Sequence, residues 1–276
     1  MQDFKNIRKN GGWGADAAFR RDMHITLTGN LGSGKSTICR ILESEYGKEI
    51  YSTGKVQRSI AQEMGISVLE MNQLMCSDHK YDHLIDDTTA KISRENPDAP
   101  IVFDSRLAWN FVEKSFKVFL SVNLSVAAER VYNDNRGDVE KYTSAEDAKR
   151  QLSLRADTEN VRYKELYGLD YFDFNNYNLV LDSTYCAPEV LAKLLMAQEE
   201  AYEKELAEGK NPKVRLLISP KRLGKMVGEA DFAQGRLYPD GIVTVKRTKE
   251  DFEVVSGQEI VEEAVKAGMP FVMATM

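Results

Sequence analysis

Residues 29–37, Gly29-Asn30-Leu31-Gly32-Ser33-Gly34-Lys35-Ser36-Thr37, place glycines, a lysine and hydroxyls at the spacing of a phosphate-binding loop. The glycines let the backbone turn tightly about an anion, so that successive amide N–H groups and the start of the following helix point at it. Lys35 brings a fixed positive charge to the β- and γ-phosphates of a nucleoside triphosphate, and Ser36 offers a hydroxyl to Mg2+. A glycine-rich turn that merely caps a helix has no need of strand, lysine and hydroxyl in register. Here a β-prone run, His24–Thr28, precedes the loop, and an apolar-periodic helix from Lys35 to about Tyr46 follows it. Triphosphate binding is the chemistry these residues support.

Other groups stand where a phosphoryl-transfer reaction would use them. Asp104 ends the apolar run Ile101-Val102-Phe103, at the sheet edge where ligands bind, and can hold Mg2+ through water. Arg106 points from the same edge toward a second anion. Ser52-Thr53-Gly54 closes another strand, with Arg58 a helical turn later; the stretch serves equally as a helix cap or as an acceptor clamp. Arg155, Glu159 and Arg162 share one helix face. A solvated charged stripe has the same pattern, but a transferring phosphoryl group needs cations that arrive as a lid closes. Arg130 and Arg136, on either side of an Asn/Asp/Gly loop, extend that supply. No Asn-Lys-x-Asp guanine-reading motif occurs, and the strand ends Asp104-Ser105 rather than Asp-Glu, which argues against a GTPase switch or a motor ATPase.

The elements that must hold these residues alternate. Strands are predicted at Glu49–Ser52, Ile101–Phe103, Val118–Val122 and Leu179–Leu181, and helices at about 54–64, 67–76, 81–95, 125–134, 145–166 and 188–207. Strands separated by long helices imply an α/β fold, a three-layer P-loop parallel sheet with helices on both faces. Residues 1–23 read as an N-terminal extension. Gly209 and Pro212 punctuate the chain at 208–213, and a small α+β unit is expected over 214–276.

The 276 residues include 37 basic and 43 acidic side chains, a net charge of −6 that argues against a protein holding nucleic acid by bulk phosphate attraction. No apolar run is long enough to cross a membrane, and three scattered cysteines support neither a disulfide framework nor a zinc cluster. The cytoplasm is the expected location. His24, His79 and His83 do not assemble a metal site, and Trp13 and Trp109 read as packing residues, Trp109 within reach of an acceptor pocket.

Over residues 24–196 the chain resembles the cytidylate kinases of the archaeal type. The matching pieces are Thr28–Thr37, Tyr51-Ser52-Thr53-Gly54, Asp82-His83-Leu84-Ile85-Asp86, Asp104–Trp109, Arg155 to Asp170, and Tyr177–Leu181. The resemblance implies an ATP–Mg2+-dependent phosphotransferase moving the γ-phosphoryl group to a small acceptor, CMP or dCMP. Gly29, Asn30, Gly32, Ser33, Gly34, Lys35, Ser36, Thr37 and Arg130 would then hold ATP. Thr53, Gly54, Arg58, Asp82 and Arg106 would bind the acceptor, and Ser36 and Asp104 the metal. Lys35, Asp104, Arg155 and Arg162 would be catalytic. The family usually has Asp after Ser-Thr-Gly, where this chain has Lys55; a Gly often precedes the Arg where Ser105 stands, and one lid arginine of the archaeal pattern falls on Asn160. A kinase of the same fold with another acceptor, and an ATP-sensing regulator without turnover, are the alternative readings. Residues 214–276 resemble the ParB-like N-terminal domain fold through Leu217–Leu223, Phe252–Gly257 and the closing strand. That family's Gly-x-Arg-Arg is Gly257-Gln258-Glu259-Ile260 here, so fold alone is carried over, as a regulatory or dimerising module through which the chain forms a homo-oligomer.

Overall fold

The computed structural model describes residues 23–66, 68–134, 142–226, 237–239 and 241–276. The N-terminal extension up to residue 22, Trp13 within it, and Arg136 lie outside the described residues.

Short apolar runs buried on both faces build the central sheet. Strands β1 (His24–Gly29), β2 (Glu49–Ser52), β3 (Ile101–Asp104), β4 (Ser115–Ser121) and β5 (Leu179–Asp182) run parallel in the order β2-β3-β1-β4-β5. Along β5, Leu179 and Leu181 face one layer and Val180 the other, as a period of two requires. The first layer is filled by Ile38, Ile41 and Leu42 of α1 (Lys35–Tyr46) and by Leu191, Ala192 and Leu195 of α8 (Pro188–Ala207). An aromatic cluster of Phe119, Tyr171, Phe174 and Tyr177 fills the second. β1 lies between β3 and β4, and β2, the next strand in sequence, is passed over and sits beyond β3, so the strand order reverses at β1; ligands of such sheets sit at the carboxyl ends beside that reversal.

Around the sheet run α2 (Thr53–Glu63), α3 (Val68–Ser77), α4 (Lys80–Glu95), α5 (Ala108–Phe111), α6 (Leu124–Asn133) and α7 (Ala145–Tyr167). Asn123 caps α6 by accepting from Ser125 N and Val126 N, and Ser144 caps α7 by accepting from Asp147 N. Gly168, at φ 70°, ends α7 in the left-handed region. The single-turn α5 was not expected, being too short to show a periodicity; it forms because Leu107, Ala108, Trp109 and Val112 are all buried.

The C-terminal residues add β6 (Arg215–Ile218), α9 (Pro220–Leu223), β7 (Val243–Arg247), β8 (Phe252–Ser256), α10 (Gln258–Lys266) and β9 (Val272–Thr275). They extend the same sheet in the order β5-β6-β9-β7-β8, so that nine strands form one surface. β6 lies parallel to β5, with Val180 opposite Leu216, because α8 carries the chain back along the sheet. The sheet is therefore continuous across 208–213, where the sequence suggested a division. Which strand a strand pairs with is a non-local property that composition does not display.

Candidate active site

The phosphate loop joins β1 to α1 and is shaped mainly by backbone. Gly32 and Gly34 take φ values of 75° and 87°, a region that side chains disfavour. A Cβ on Gly32 would stand 2.9 Å from Ala127 O, and one on Gly29 2.3 Å from Leu120 O. Asn30 ties the loop to β4: its N–H donates to Leu120 O (3.1 Å), and its Oδ1 accepts from Val122 N (3.2 Å). Lys35 folds back, donating from Nζ to Gly29 O and Asn30 O at 3.2 Å each. Burial, and then the Arg106 charge, push Lys35 down to about 7, with Asp104 and Glu159 working the other way. Ser33 Oγ is buried and takes no hydrogen bond among the described residues, a polar atom held ready for an oxyanion. Ser36 is exposed on the first turn of α1, and Thr37 Oγ1 accepts from Arg40.

Two of the cavities that border the loop hold residues expected from the sequence. On one side Ser33, Gly34, Thr37 and Ile38 face Arg130, Ser183, Cys186 and Leu191 across about 220 Å³. Arg130 is fixed there by its Nη2, which donates to Ser183 O (2.8 Å) and Thr184 O (3.1 Å). On the other side a cavity of about 180 Å³ brings together Lys35, Thr53, Gly54, Asp104, Arg106, Arg155 and Arg162, singled out by their sequence patterns, and Asp82, expected from the family resemblance. Arg58 is not part of that wall; it lies exposed on α2, with a terminal nitrogen 3.5 Å from the position a Gly54 Cβ would take.

Charge in this second cavity is organised by Glu159. Its Oε2 accepts from Arg106 Nε and its Oε1 from Arg155 Nε, both at 2.9 Å. Burial would raise the Glu159 carboxyl, but Arg106 and Arg155 hold it down at about 2. Arg106 also donates through Nη1 to Gly29 O (2.6 Å), which couples α7, β3 and the phosphate loop in one chain of contacts. Asp104 accepts at Oδ2 from Ser52 Oγ (3.1 Å), and its carbonyl from Thr53 Oγ1 (3.3 Å), so the Ser-Thr-Gly corner is anchored on β3. Arg162 approaches Asp82 at 3.5 Å and donates to Tyr163 OH at 3.3 Å. Its Nε and the Asp82 Oδ2 are buried without a hydrogen bond among the described residues. Burial raises the Asp82 carboxyl, although Arg162 opposes it. Asp86, one turn on, accepts from Tyr167 OH (2.8 Å), and burial pushes it up to about 6.

Glu159, Gln57, Met75, Asp86 and Tyr163 are wall residues that the expected site did not include. Glu159 had a signal, since it stands four residues from Arg155 on its helix; Gln57 and Met75 had none, and the partner of Asp86, Tyr167, is 81 residues away. Trp109 does not border the cavity: it is buried against Tyr177, with Nε1 donating to Arg106 O (3.0 Å). Lys55 is exposed on α2, and Asn160 turns away from the cavity, accepting at Oδ1 from Tyr171 N. Among the described residues no group of three His, Cys, Asp or Glu side chains could hold a metal ion, and no helix is long and apolar enough to cross a membrane.

A profile of the cytidylate kinase-like family matches residues 24–185. A cytidylate kinase of Natronomonas pharaonis is 33% identical over 192 residues, covering 69% of this chain and 96% of that protein. A cytidylate kinase of Haloarcula marismortui is 32% identical with the same coverage. Among solved structures, an uncharacterized protein from Eubacterium ventriosum superposes with a TM-score of 0.49 at 12% identity, covering 65% of this chain and 99% of that one.

Proposed function

This chain belongs to the cytidylate kinase-like family and is a nucleoside monophosphate kinase-like phosphotransferase, and we propose that it moves the γ-phosphoryl group of ATP, bound with Mg2+, to CMP or dCMP. The observation that carries this reading is the meeting of Lys35 with Arg106, Arg155 and Arg162 in one cavity beside the phosphate loop. Those cations surround the point where charge would spread during transfer, and an acceptor that is already a phosphate anion needs no protein base.

In this reading Gly29, Asn30, Gly32, Ser33, Gly34, Lys35 and Thr37 cradle the triphosphate, and the nucleotide base enters the cavity bordered by Arg130. Ser36 and Asp104 would hold Mg2+, an ion that needs few protein oxygens when phosphate is present. Bound there, it would supply charge neutralisation at the phosphates; the chain's own residues orient the two substrates. Thr53 and Gly54 close on the acceptor beside Asp104, and Arg106 and Arg155, set by Glu159, face its phosphate. The unengaged Asp82 Oδ2 and Arg162 Nε form an acceptor–donor pair. A cytosine ring, which offers an amine donor next to ring acceptors, suits that pair better than uracil does. Arg58 is proposed as an outer contact only.

ADP release from ATP–Mg2+, measured with CMP, dCMP, UMP and AMP, tests the proposal. Stimulation by CMP or dCMP at least tenfold above UMP is expected. Equal stimulation by UMP would remove the cytosine reading, and ATP binding without turnover on any acceptor would favour a nucleotide-gated regulator.

A further inference from the structure

Helix α7 separates two cavities. Arg155, Glu159 and Arg162 wall the acceptor side, while Leu152, Ala156, Asn160 and Lys164 wall a second cavity of about 520 Å³ on the other side. The facing wall comes from the C-terminal residues, where Arg247, Thr248, Lys249 and Glu250 follow β7 into the β7–β8 turn. The cavity's lining also includes Asn30 and Leu31 of the phosphate loop. This volume is of the size that small-molecule sites have.

The charges around it are settled with one exception. Asp157 pairs with Lys249 and Asp170 with Lys164, both at 2.7 Å, and Glu250 pairs with Lys149 at 3.0 Å. Arg247 is half-buried, with its guanidinium 3.9 Å from the centre of the Phe172 ring. Among the described residues no carboxylate lies within ion-pair distance of it, and none of its N–H groups makes a hydrogen bond. A guanidinium laid over an aromatic face keeps its N–H fork available for a carboxylate or phosphate. The lining also has an apolar part, formed by Leu31, Leu124, Ala127 and Leu152.

We propose that this cavity is a second ligand site, for a small oxyanion on an apolar or planar body, read by Arg247 and felt at the phosphate loop through α7. Binding itself does not rest on the phosphotransferase reading; the coupling rests only on ATP using the phosphate loop. Carboxylate and phosphate monoester share the required chemistry, and two fragments separate them.

The test is a titration of the full chain with benzoate, phenyl phosphate and neutral benzamide, followed by ligand-observed NMR. Millimolar binding of at least one anion is expected, at least tenfold tighter than benzamide, and the tighter anion identifies the group read. Arg247→Gln, which retains size and hydrogen bonding, should weaken that anion about tenfold, while Lys35→Ala leaves its affinity unchanged; thermal melts establish that both variants are folded. Benzoate at saturation should shift the affinity for ATP about fivefold, and ATP should shift that for benzoate by the same factor. No anion binding at ~10 mM, a range in which contacts worth about 3 kcal/mol are already visible, would overturn the site. So would benzamide binding equally well, unchanged affinity in Arg247→Gln, or loss of binding in Lys35→Ala. Affinities for ATP and benzoate that ignore each other would overturn the coupling.

Discussion

The phosphate loop and the acceptor cavity share Lys35, yet they are made of different material. In the loop, geometry comes from backbone: glycines whose Cβ atoms would collide with Leu120 O or Ala127 O, and Asn30 bonded to β4. In the cavity, geometry comes from side chains on α2, α4, β3 and α7, held by the Arg106–Glu159–Arg155 and Arg162–Asp82 contacts. A backbone cradle admits few substitutions and binds any polyphosphate. A side-chain cavity can exchange its partners, so in the proposed reading acceptor choice belongs to the cavity and triphosphate binding to the loop.

Four outcomes sharpen or break this contrast. Lys35→Ala should cost the most, on the order of 10²–10³ in kcat/KM, because it removes a preorganised charge where negative charge develops. Its thermal unfolding at neutral pH should shift upward and not downward. Burial pushes Lys35 down to about 7, and a group that binds its proton less tightly in the folded than in the unfolded chain costs the fold stability at pH below its ordinary value. Steady-state kinetics with a melt checks both; a loss smaller than that of the cavity variants would invert the contrast. Glu159→Gln comes next. It leaves Arg106 and Arg155 without their shared buried anion, and should lower kcat by roughly 10–100-fold through misplaced cations. Here stability falls too, as removal of one partner of a buried pair predicts. Unchanged kcat with a lowered melting point would make Glu159 purely structural.

The third outcome separates the two regions by proton count. An anion bound in the loop raises a Lys35 that burial holds at about 7, so binding a nucleotide at pH 8 should take up close to one proton, and at pH 6 almost none. Calorimetry in buffers of different ionisation enthalpy measures this, and Lys35→Met should abolish the uptake. Equal uptake in that variant would move the titrating group into the acceptor cavity.

Legibility in the sequence follows the same division. The loop was fully readable, because strand, glycines, lysine and helix lie within consecutive residues; β1 and α1 fall where expected. The long helices were readable too, α7 at Ala145–Tyr167 against an expected 145–166, since apolar periodicity and caps are local. The charged face of α7 was visible at 155, 159 and 162, but the partners were not: nothing near Arg106 announces Glu159, which is 53 residues away. Equally hidden was the network in which Arg222, buried, donates to Asp182 Oδ1 (2.8 Å) and Asp251 Oδ1 (2.6 Å). That network joins the C-terminal strands to the residues beside Arg130, because Asp182 also accepts from Thr184 N at 3.0 Å. Charged residues of this kind read as surface in a sequence and become core only once the sheet pairs β5 with β6.

The smallest effect concerns Asp86, on the cavity's α4 wall. Burial lifts its carboxyl from the usual value near 4 to about 6, while the Tyr167 hydroxyl, Oδ2's donor, pulls the other way. A carboxyl raised in the folded state binds its proton more tightly there than in the unfolded chain. Its contribution to stability is therefore full below pH 4 and is lost as the pH rises through 6. Asp86→Asn should flatten that part of the stability–pH curve, the wild type losing on the order of 2–3 kcal/mol between pH 4 and 7 relative to the variant. Denaturant unfolding at several pH values measures the difference. Parallel curves would mean that water reaches Asp86 freely, and the cavity wall would then be as open as the loop is closed. A difference confined to pH 4–7, with acceptor KM little changed, would place the residue in the support of the cavity and leave its specificity with Asp82 and Arg162.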